Sequence, residues 1–136
     1  MAPFRHRIRV RYNECDQQDA VFNSNYLVYM DVTLTEMWRE AFGSYSAMAD
    51  SGVDLVVAEA NVRYHLPARF DDELEIAASI ERLGQTSMTT RFDVTRGDDV
   101  IAVGHLRHVF IKLGDGKTPI PDDIRSGVGP YVEEGG

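Results

Sequence analysis

The most constraining feature of this chain is one stretch of helical periodicity set among segments of strand periodicity. From Ser24 to Phe42 the apolar residues recur at spacings of three and four on one stripe, which is typical of an amphipathic helix of roughly five turns. Asn23 or Ser24 is expected to cap its start and Gly43 to end it. No other segment predicts a long helix, so we expect the strands to bury their apolar faces against this one.

Five segments predict β-strands, because they alternate apolar and polar residues or are rich in β-branched ones. They cover residues 4–12, 53–64, 74–80, 88–95 and 100–113. The later strands are joined by short turns, of which Arg96–Asp99 is a hairpin signal, and such connections favour antiparallel pairing. The sequence therefore predicts an α+β fold, in which an antiparallel five-stranded sheet wraps around one long helix. Such a sheet has two edges, and a dimer that joins edge to edge would protect one edge of each chain.

Length and composition limit the classes of function. The 136 residues, 43% of them hydrophobic, fit one globular domain over residues 1–136 with a loose tail from residue 126. The net charge of −8 argues against a nucleic-acid binder, which needs a basic face. The single cysteine, Cys15, excludes an internal disulfide and favours a reducing compartment. Since the sequence has no signal-peptide pattern, no membrane-spanning run and no zinc-ligand spacing, we expect a cytoplasmic protein without a metal site or membrane contact.

The loop that precedes the predicted helix holds the candidate catalytic residues. The sequence has neither the Gly-x-Ser-x-Gly elbow of serine hydrolases nor a dinucleotide or phosphate-binding glycine motif. Asp16 lies seven residues before Asn23, where the helix begins. A carboxylate beside a helix N-terminus can attack a carbonyl carbon or deprotonate a water, while free backbone N–H groups polarise the carbonyl oxygen. From the residues alone, a structural role for Asp16 as a cap or turn former stays the stronger interpretation.

The same loop carries a resemblance to a known family. Residues 12–27, which read YNECDQQDAVFNSNYL, resemble the entry segment of the hot-dog-fold acyl-CoA thioesterases, specifically the 4-hydroxybenzoyl-CoA thioesterase family. In that pattern an Asp is followed by a short loop, a Val-aromatic pair, a polar residue and Asn-Tyr-Leu at the start of the long helix. Residues 64–74 resemble the family's aromatic, Pro, Asp, Leu run, and residues 83–87 resemble its turn between strands. The resemblance covers about residues 5–113 and implies the hot-dog fold, in agreement with the order of elements.

The resemblance implies an acyl-CoA hydrolase that releases a free acid and CoA and needs no cofactor. By position, Asp16 matches the catalytic carboxylate, a nucleophile or general base, and Asn23 matches the residue whose backbone N–H faces the thioester carbonyl. The chain departs from the family at Asp19, where relatives commonly carry Gly. This second carboxylate would favour a base over a nucleophile if it lay close to Asp16. The candidate substrate contacts are Asp19, Tyr26, Tyr64, Arg82 and Ser87. Because family sites lie between subunits, the expected assembly is a homodimer or a homotetramer.

Three alternatives stay open at this point. The acyl donor is either CoA or an acyl carrier protein. A hot-dog dehydratase or hydratase would act on a hydroxyacyl thioester, yet that chemistry usually needs a His that neither the helix nor the preceding loop contains. A non-catalytic module would hold an acyl thioester without turnover, since one fold can serve several functions.

Overall fold

The computed structural model describes residues 3–44 and 52–133. The helices and strands are β1 (Phe4–Arg9), α1 (Asn25–Phe42), β2 (Val53–Tyr64), β3 (Glu73–Leu83), β4 (Ser87–Arg96), β5 (Asp99–Lys112), β6 (Gly116–Lys117) and α2 (Asp122–Val128), with 3₁₀ turns at Tyr12–Glu14 and Gly129–Tyr131. None of the helices in this part of the chain combines the length and the hydropathy that a bilayer crossing needs.

All strands belong to one antiparallel sheet in the order β1-β3-β4-β5-β2, and β6 pairs with the end of β5. The predicted antiparallel sheet with one long helix is therefore confirmed. The structure adds β6 to the five predicted strands. Gly114 and Gly116 adopt positive φ values of 91° and 84°, a conformation that costs glycine little, and they turn the chain back onto β5.

The apolar stripe of α1 covers the inner face of the sheet. On β3 and β4 buried residues alternate with less buried ones, as a period of two requires. The largest fully buried side chains include Tyr29, Met30, Met37, Trp38, Leu74, Ile76, Ile80, Met88, Phe92, Ile101 and Phe110. The helix and β5 lie close together at Gly104, where a Cβ atom would stand 2.7 Å from Sδ of Met30. This packing holds the first turn of α1 near the end of β2, which pairs with the start of β5.

The two ends of α1 are closed differently. Gly43 ends the helix with a φ of 78° and donates its N–H to the Arg39 carbonyl, which confirms the predicted stop. The predicted side-chain cap is wrong. Ser24 is the N-cap residue, but its side chain makes no capping hydrogen bond within the described residues. Its backbone is already helical (φ −68°, ψ −20°), whereas a capping side chain usually needs an extended backbone to reach the first amides.

The chain leaves the sheet earlier than the alternating pattern predicts. β1 ends at Arg9, and the Val10 N–H donates to the Asp72 carbonyl at 2.9 Å. Tyr12 is the last residue of the predicted strand over residues 4–12. It lies instead in the 3₁₀ turn, 78% exposed, with its ring edge-on to Phe70.

The C-terminal segment is packed against the sheet, which corrects the predicted loose tail for residues 126–133. α2 continues to Val128, and beyond the following turn Val132 bridges Ile80 while the Glu133 N–H donates to the Ile80 carbonyl at 2.9 Å. β1 pairs with β3 only up to Ala78, so the tail occupies the edge of β3 that β1 leaves open. Residues 134–136 lie outside the described residues.

β2 forms an edge of the sheet and is poorly covered by the helix. Every side chain from Val56 to Asn61 is exposed, including Val56 at 45% and Val57 at 50%. The pairing register with β5 shifts between Val57 and Glu59, which marks a bulge. An exposed edge with apolar side chains is a surface on which another strand can pair.

Candidate active site

The loop between β1 and α1 closes on itself around Asp16. Cys15 and Val21 form an antiparallel bridge, and inside it the Asp16 N–H donates to the Ala20 carbonyl at 2.8 Å. One carboxylate oxygen of Asp16, Oδ1, accepts hydrogen bonds from the backbone N–H groups of Gln18 (2.8 Å) and Ala20 (3.3 Å). The other, Oδ2, accepts none from the described residues, and Asp16 is exposed. Asp16 is thus a turn former that keeps one carboxylate oxygen free.

Asp19 lies in the same turn with a left-handed backbone. Its φ is 62°, a value that Gly adopts freely and that Asp tolerates better than most residues. The backbone therefore accepts either the Gly that relatives commonly carry or the Asp of this chain. The Asp19 N–H donates to the Asp16 carbonyl at 3.1 Å, so the turn stays closed. Both acids line one open hollow of about 500 Å³, together with Tyr12, Asn13, Cys15 and Gln17.

The start of α1 leaves backbone donors free. The N–H groups of Asn23 and Ser24 donate to no acceptor within residues 3–44 and 52–133, whereas the Asn25 N–H is bonded to the Phe22 carbonyl at 2.9 Å. Asn23 and Ser24 are both exposed. The positive end of the helix dipole lies at the same place, so a carbonyl oxygen bound here would gain a hydrogen bond and a favourable field.

A second hollow, of about 260 Å³, joins the helix start to the end of β2. It is lined by Val21, Asn23, Tyr26, Tyr64, His65, Leu66 and Pro67. The Tyr64 hydroxyl donates to the Asn23 carbonyl at 3.1 Å, and its ring meets that of Tyr26 with centroids 5.4 Å apart. Three predicted site residues, Asn23, Tyr26 and Tyr64, therefore lie together. Asp16 lines the other hollow, and the loop connects the two.

Arg82 and Ser87, the predicted contacts beside the β3–β4 turn, lie away from this region. The Asp16 loop adjoins the segment before β3, through an antiparallel bridge between Ala20 and Arg69. Arg82 stands near the far end of β3, about 30 Å of strand away at the usual rise per residue. Arg82 is exposed and Ser87 is half-buried. A single chain therefore does not bring these two residues to Asp16.

Sequence reasoning missed Glu14, which is only 9% exposed although it lies in a polar loop. Its Oε1 accepts hydrogen bonds from the Tyr29 hydroxyl (2.9 Å) and the Arg11 backbone N–H (2.7 Å), and its Oε2 accepts two from the Arg11 side chain, from Nη2 (3.1 Å) and Nε (3.2 Å). Burial alone would raise the pKa of Glu14, but these hydrogen bonds hold it below its usual value. Burial and the contact with Glu14 raise the pKa of Tyr29. No local pattern identifies this pair, because its members are 15 positions apart.

A second set of contacts attaches the loop to the segment between β2 and β3. Arg69 Nη1 donates to the Gln18 carbonyl at 3.1 Å, and the Arg69 N–H donates to Asp72 Oδ2 at 2.8 Å. Arg96 Nη1 contacts the same oxygen at 2.8 Å. Burial alone would raise the pKa of Asp72, but the hydrogen bonds from Arg69 and Arg96 hold it below its usual value. Asp72 belongs to the second stretch that resembles the family, and in this structure it orders a loop.

Comparison with known proteins decides the family. Residues 18–103, well over half of the chain, match the family model described as the thioesterase superfamily. The chain belongs to the thioesterase superfamily. The predicted enzyme class, a thioesterase, is thereby confirmed. The match begins at Gln18, two residues after Asp16, and therefore does not include Asp16.

Relatives in the superfamily cover different shares of the chain. The acyl-CoA thioester hydrolase YbgC of Escherichia coli is 35% identical over 85 residues, which are 62% of this chain and 63% of that protein. A solved structure from Aquifex aeolicus superposes with a TM-score of 0.89 at 29% identity, covering 93% of this chain and 99% of that one. The gentisyl-coenzyme A thioesterase BH1999 superposes with a TM-score of 0.82 at 26% identity, covering 92% and 98%. These similarities confirm the predicted hot-dog fold.

Proposed function

We propose that the chain hydrolyses acyl-CoA thioesters to a free carboxylic acid and CoA. Membership of the superfamily and the names of its relatives support this substrate class. One observation carries the catalytic part of the proposal. An exposed Asp16 with a free carboxylate oxygen precedes, on one closed loop, a helix start at which the Asn23 N–H has no acceptor among the described residues. An acyl-carrier-protein thioester is the alternative donor.

In the proposed reaction the Asn23 N–H donates a hydrogen bond to the thioester carbonyl oxygen, which gains negative charge as its carbon becomes tetrahedral. As a nucleophile, Asp16 bonds through its carboxylate to that carbon. CoA leaves as a thiolate that takes a proton from water, and a second water hydrolyses the mixed anhydride. As a general base, Asp16 instead takes a proton from a water that attacks the carbon directly; CoA then leaves as a thiolate, to which that proton passes. Neither route uses a metal or a redox cofactor. Rapid-quench mass spectrometry separates them, because only the nucleophilic route adds the acyl mass to the chain.

We also propose that the enzyme is a homodimer joined along β2, or a homotetramer built from two such dimers. No strand of the described residues pairs with the outer edge of β2, and Val56 and Val57 are exposed there. Pairing with a second copy would satisfy backbone groups and bury apolar area. In this assembly Asp19, Tyr26 and Tyr64 contact the substrate held by their own chain, and Arg82 and Ser87 reach CoA from the other chain. A cytoplasmic location, favoured by the single cysteine, belongs to the same proposal.

The test is Asp16→Asn, which keeps an oxygen for the backbone N–H groups of Gln18 and Ala20 but neither attacks a carbonyl nor accepts a proton. We expect kcat to fall at least about 100-fold, measured as thiol release from short, long and aryl acyl-CoAs. The control is Asp98→Asn, an exposed acid in the β4–β5 turn, which should leave kcat unchanged. A near-normal kcat for Asp16→Asn would remove Asp16 from the mechanism.

The same substrate panel separates the other functions. Saturable CoA binding without thiol release from any acyl-CoA would support a non-catalytic binding module. Hydration of an enoyl-CoA would support a hydratase, but neither α1 nor the loop before it contains a His, so we expect none.

A further inference from the structure

Glu14 contacts two successive turns of α1 from one position in the loop. Its carboxylate accepts the Tyr29 hydroxyl at 2.9 Å. Its backbone carbonyl accepts hydrogen bonds from the Asn25 side-chain amide at 2.8 Å and from the Phe22 N–H at 2.9 Å. Asn25 and Tyr29 are four residues apart and therefore lie on the same face of the helix. One contact would leave the loop free to pivot on the helix, whereas two contacts along the axis define its orientation.

We infer that Glu14 is a positioning residue. Through its contact with Tyr29 it holds the Asp16 carboxylate and the backbone N–H of Asn23 in the arrangement that one thioester carbonyl requires. This inference rests on the proposed function of Asp16. Glu14 precedes Asp16 by two residues and, through the Phe22 N–H, is linked to the residue just before Asn23. A displacement of about 1 Å in such an arrangement can cost about 100-fold in rate.

The chemistry of Glu14 suits this role better than that of a neutral residue. A carboxylate accepts charge-assisted hydrogen bonds, which are shorter and stronger than neutral ones. Arg11 compensates the buried charge from its own exposed position, with 75% of its side chain accessible. Opening the contact would leave the hydroxyl of Tyr29, a residue only 2% exposed, without its acceptor, so the contact resists opening. The loop is therefore held rigidly against α1 at Glu14, while Asp16 at its tip is exposed.

The experiment compares Tyr29→Phe with a matched control, Tyr131→Phe. Each variant removes one hydroxyl that bonds to a carboxylate, but Tyr131 bonds Glu40 near the far end of α1. We expect Tyr29→Phe to lower kcat about tenfold or more and to change KM less than about twofold, with Tyr131→Phe unchanged in both. Glu14→Gln keeps an acceptor for the Tyr29 hydroxyl but loses the charge, so its kcat should also fall. All variants are assayed well below their thermal midpoints.

A double variant shows whether the effect passes through Asp16. In the Asp16→Asn background, under single-turnover conditions with enzyme in excess, Tyr29→Phe should cause a clearly smaller loss than in the wild type, because only the Asn23 N–H then remains to be positioned. An equal loss in both backgrounds would indicate a general structural role and overturn the inference. Wild-type kcat in both Tyr29→Phe and Glu14→Gln would also overturn it, even if Asp16→Asn is inactive and the proposed function stands. Full activity of Asp16→Asn would instead contradict the proposed function itself.

Discussion

His105 and His108 lie three residues apart on β5 and face opposite sides of the sheet, as strand geometry requires. On the outer face, His105 contacts Asn61 Oδ1 at 3.0 Å and Glu81 Oε2 at 3.3 Å. His108 faces the core, is 4% exposed, and its Nδ1 has no hydrogen-bond partner in the described part of the chain. Because burial disfavours the charged imidazolium, the pKa of His108 lies below its usual value.

We expect His108 to make the fold sensitive to acid. An unfolded His binds a proton as the pH falls through about 6.5, but the buried His108 resists it. Its contribution is therefore fully present above that pH and is lost as the pH falls toward the lower pKa of the folded chain. His108→Leu should reduce the loss of unfolding free energy between about pH 8 and pH 5, measured by urea denaturation. Glu14 and Asp72 also have lowered pKa values and titrate below this range. An undiminished loss in the variant would contradict the prediction.

At the scale of elements, the packing of α1 on β5 depends on a residue without a side chain. A Cβ atom at Gly104 would meet Sδ and Cε of Met30 at 2.7 Å and the backbone oxygen of Asn61 at 3.1 Å. Glycine is therefore needed at position 104 because the gap between the helix and the sheet leaves no room for a side chain. The same contact sets the distance between the first turns of α1 and the sheet. It therefore also sets the position of the helix start relative to Tyr64.

Gly104→Ala should lower the free energy of unfolding by about 1–3 kcal/mol, since overpacking a close-packed core forces neighbouring groups to shift. Combining it with Met30→Ala should cost less than the sum of the two single changes, because the two residues share one contact. Urea denaturation of the four proteins measures this coupling.

The control for this cycle is Gly129→Ala. An added Cβ there meets nothing within 4 Å, and the φ of −50° suits alanine. It should change stability by less than about 0.5 kcal/mol. If Gly104→Ala is equally neutral, the close packing of Met30 on β5 is not a constraint on the fold.

At the scale of the whole molecule, the exposed edge of β2 is where a second copy would add its own strand. Val57 pairs with His108 in the β2–β5 register and therefore faces the inner side of the sheet. The helix does not cover this part of β2, so Val57 is half exposed. A charge at this position would lie inside a dimer interface but on the surface of a monomer, so it distinguishes the two states.

If the proposed dimer forms along β2, Val57→Glu should shift it to monomer in sedimentation equilibrium, because burying an unpaired carboxylate is costly. Thiol release should fall with it, since the proposed site needs CoA contacts from the other chain. Val100→Glu is the matched control, because Val100 is similarly exposed at 44% but lies at the β4–β5 turn. A Val57→Glu protein that stays dimeric with full activity would exclude β2 as the interface.

Local periodicity was sufficient to predict α1 and five of the six strands of this fold. Leu74 and Phe92 stand between charged neighbours because each strand shows one face to the helix, and that alternation is visible within a few residues. Gly43 marks the end of α1 for an equally local reason, its left-handed backbone. The loop that carries Asp16 and Asn23 could be located in the same way, because it lies where the strand pattern stops and the helical pattern begins.

Only the tertiary structure decided which of these elements meet. β2 is mostly apolar in sequence, and its position at an edge follows from the strand order, which no local pattern encodes. The C-terminal segment pairs with β3 because β1 is too short to cover that strand, and Glu14 is buried because Tyr29 lies above it. Each of these outcomes depends on hydrogen bonds and contact area between residues far apart in the chain, whereas the pattern of side chains reports only which face each short segment buries.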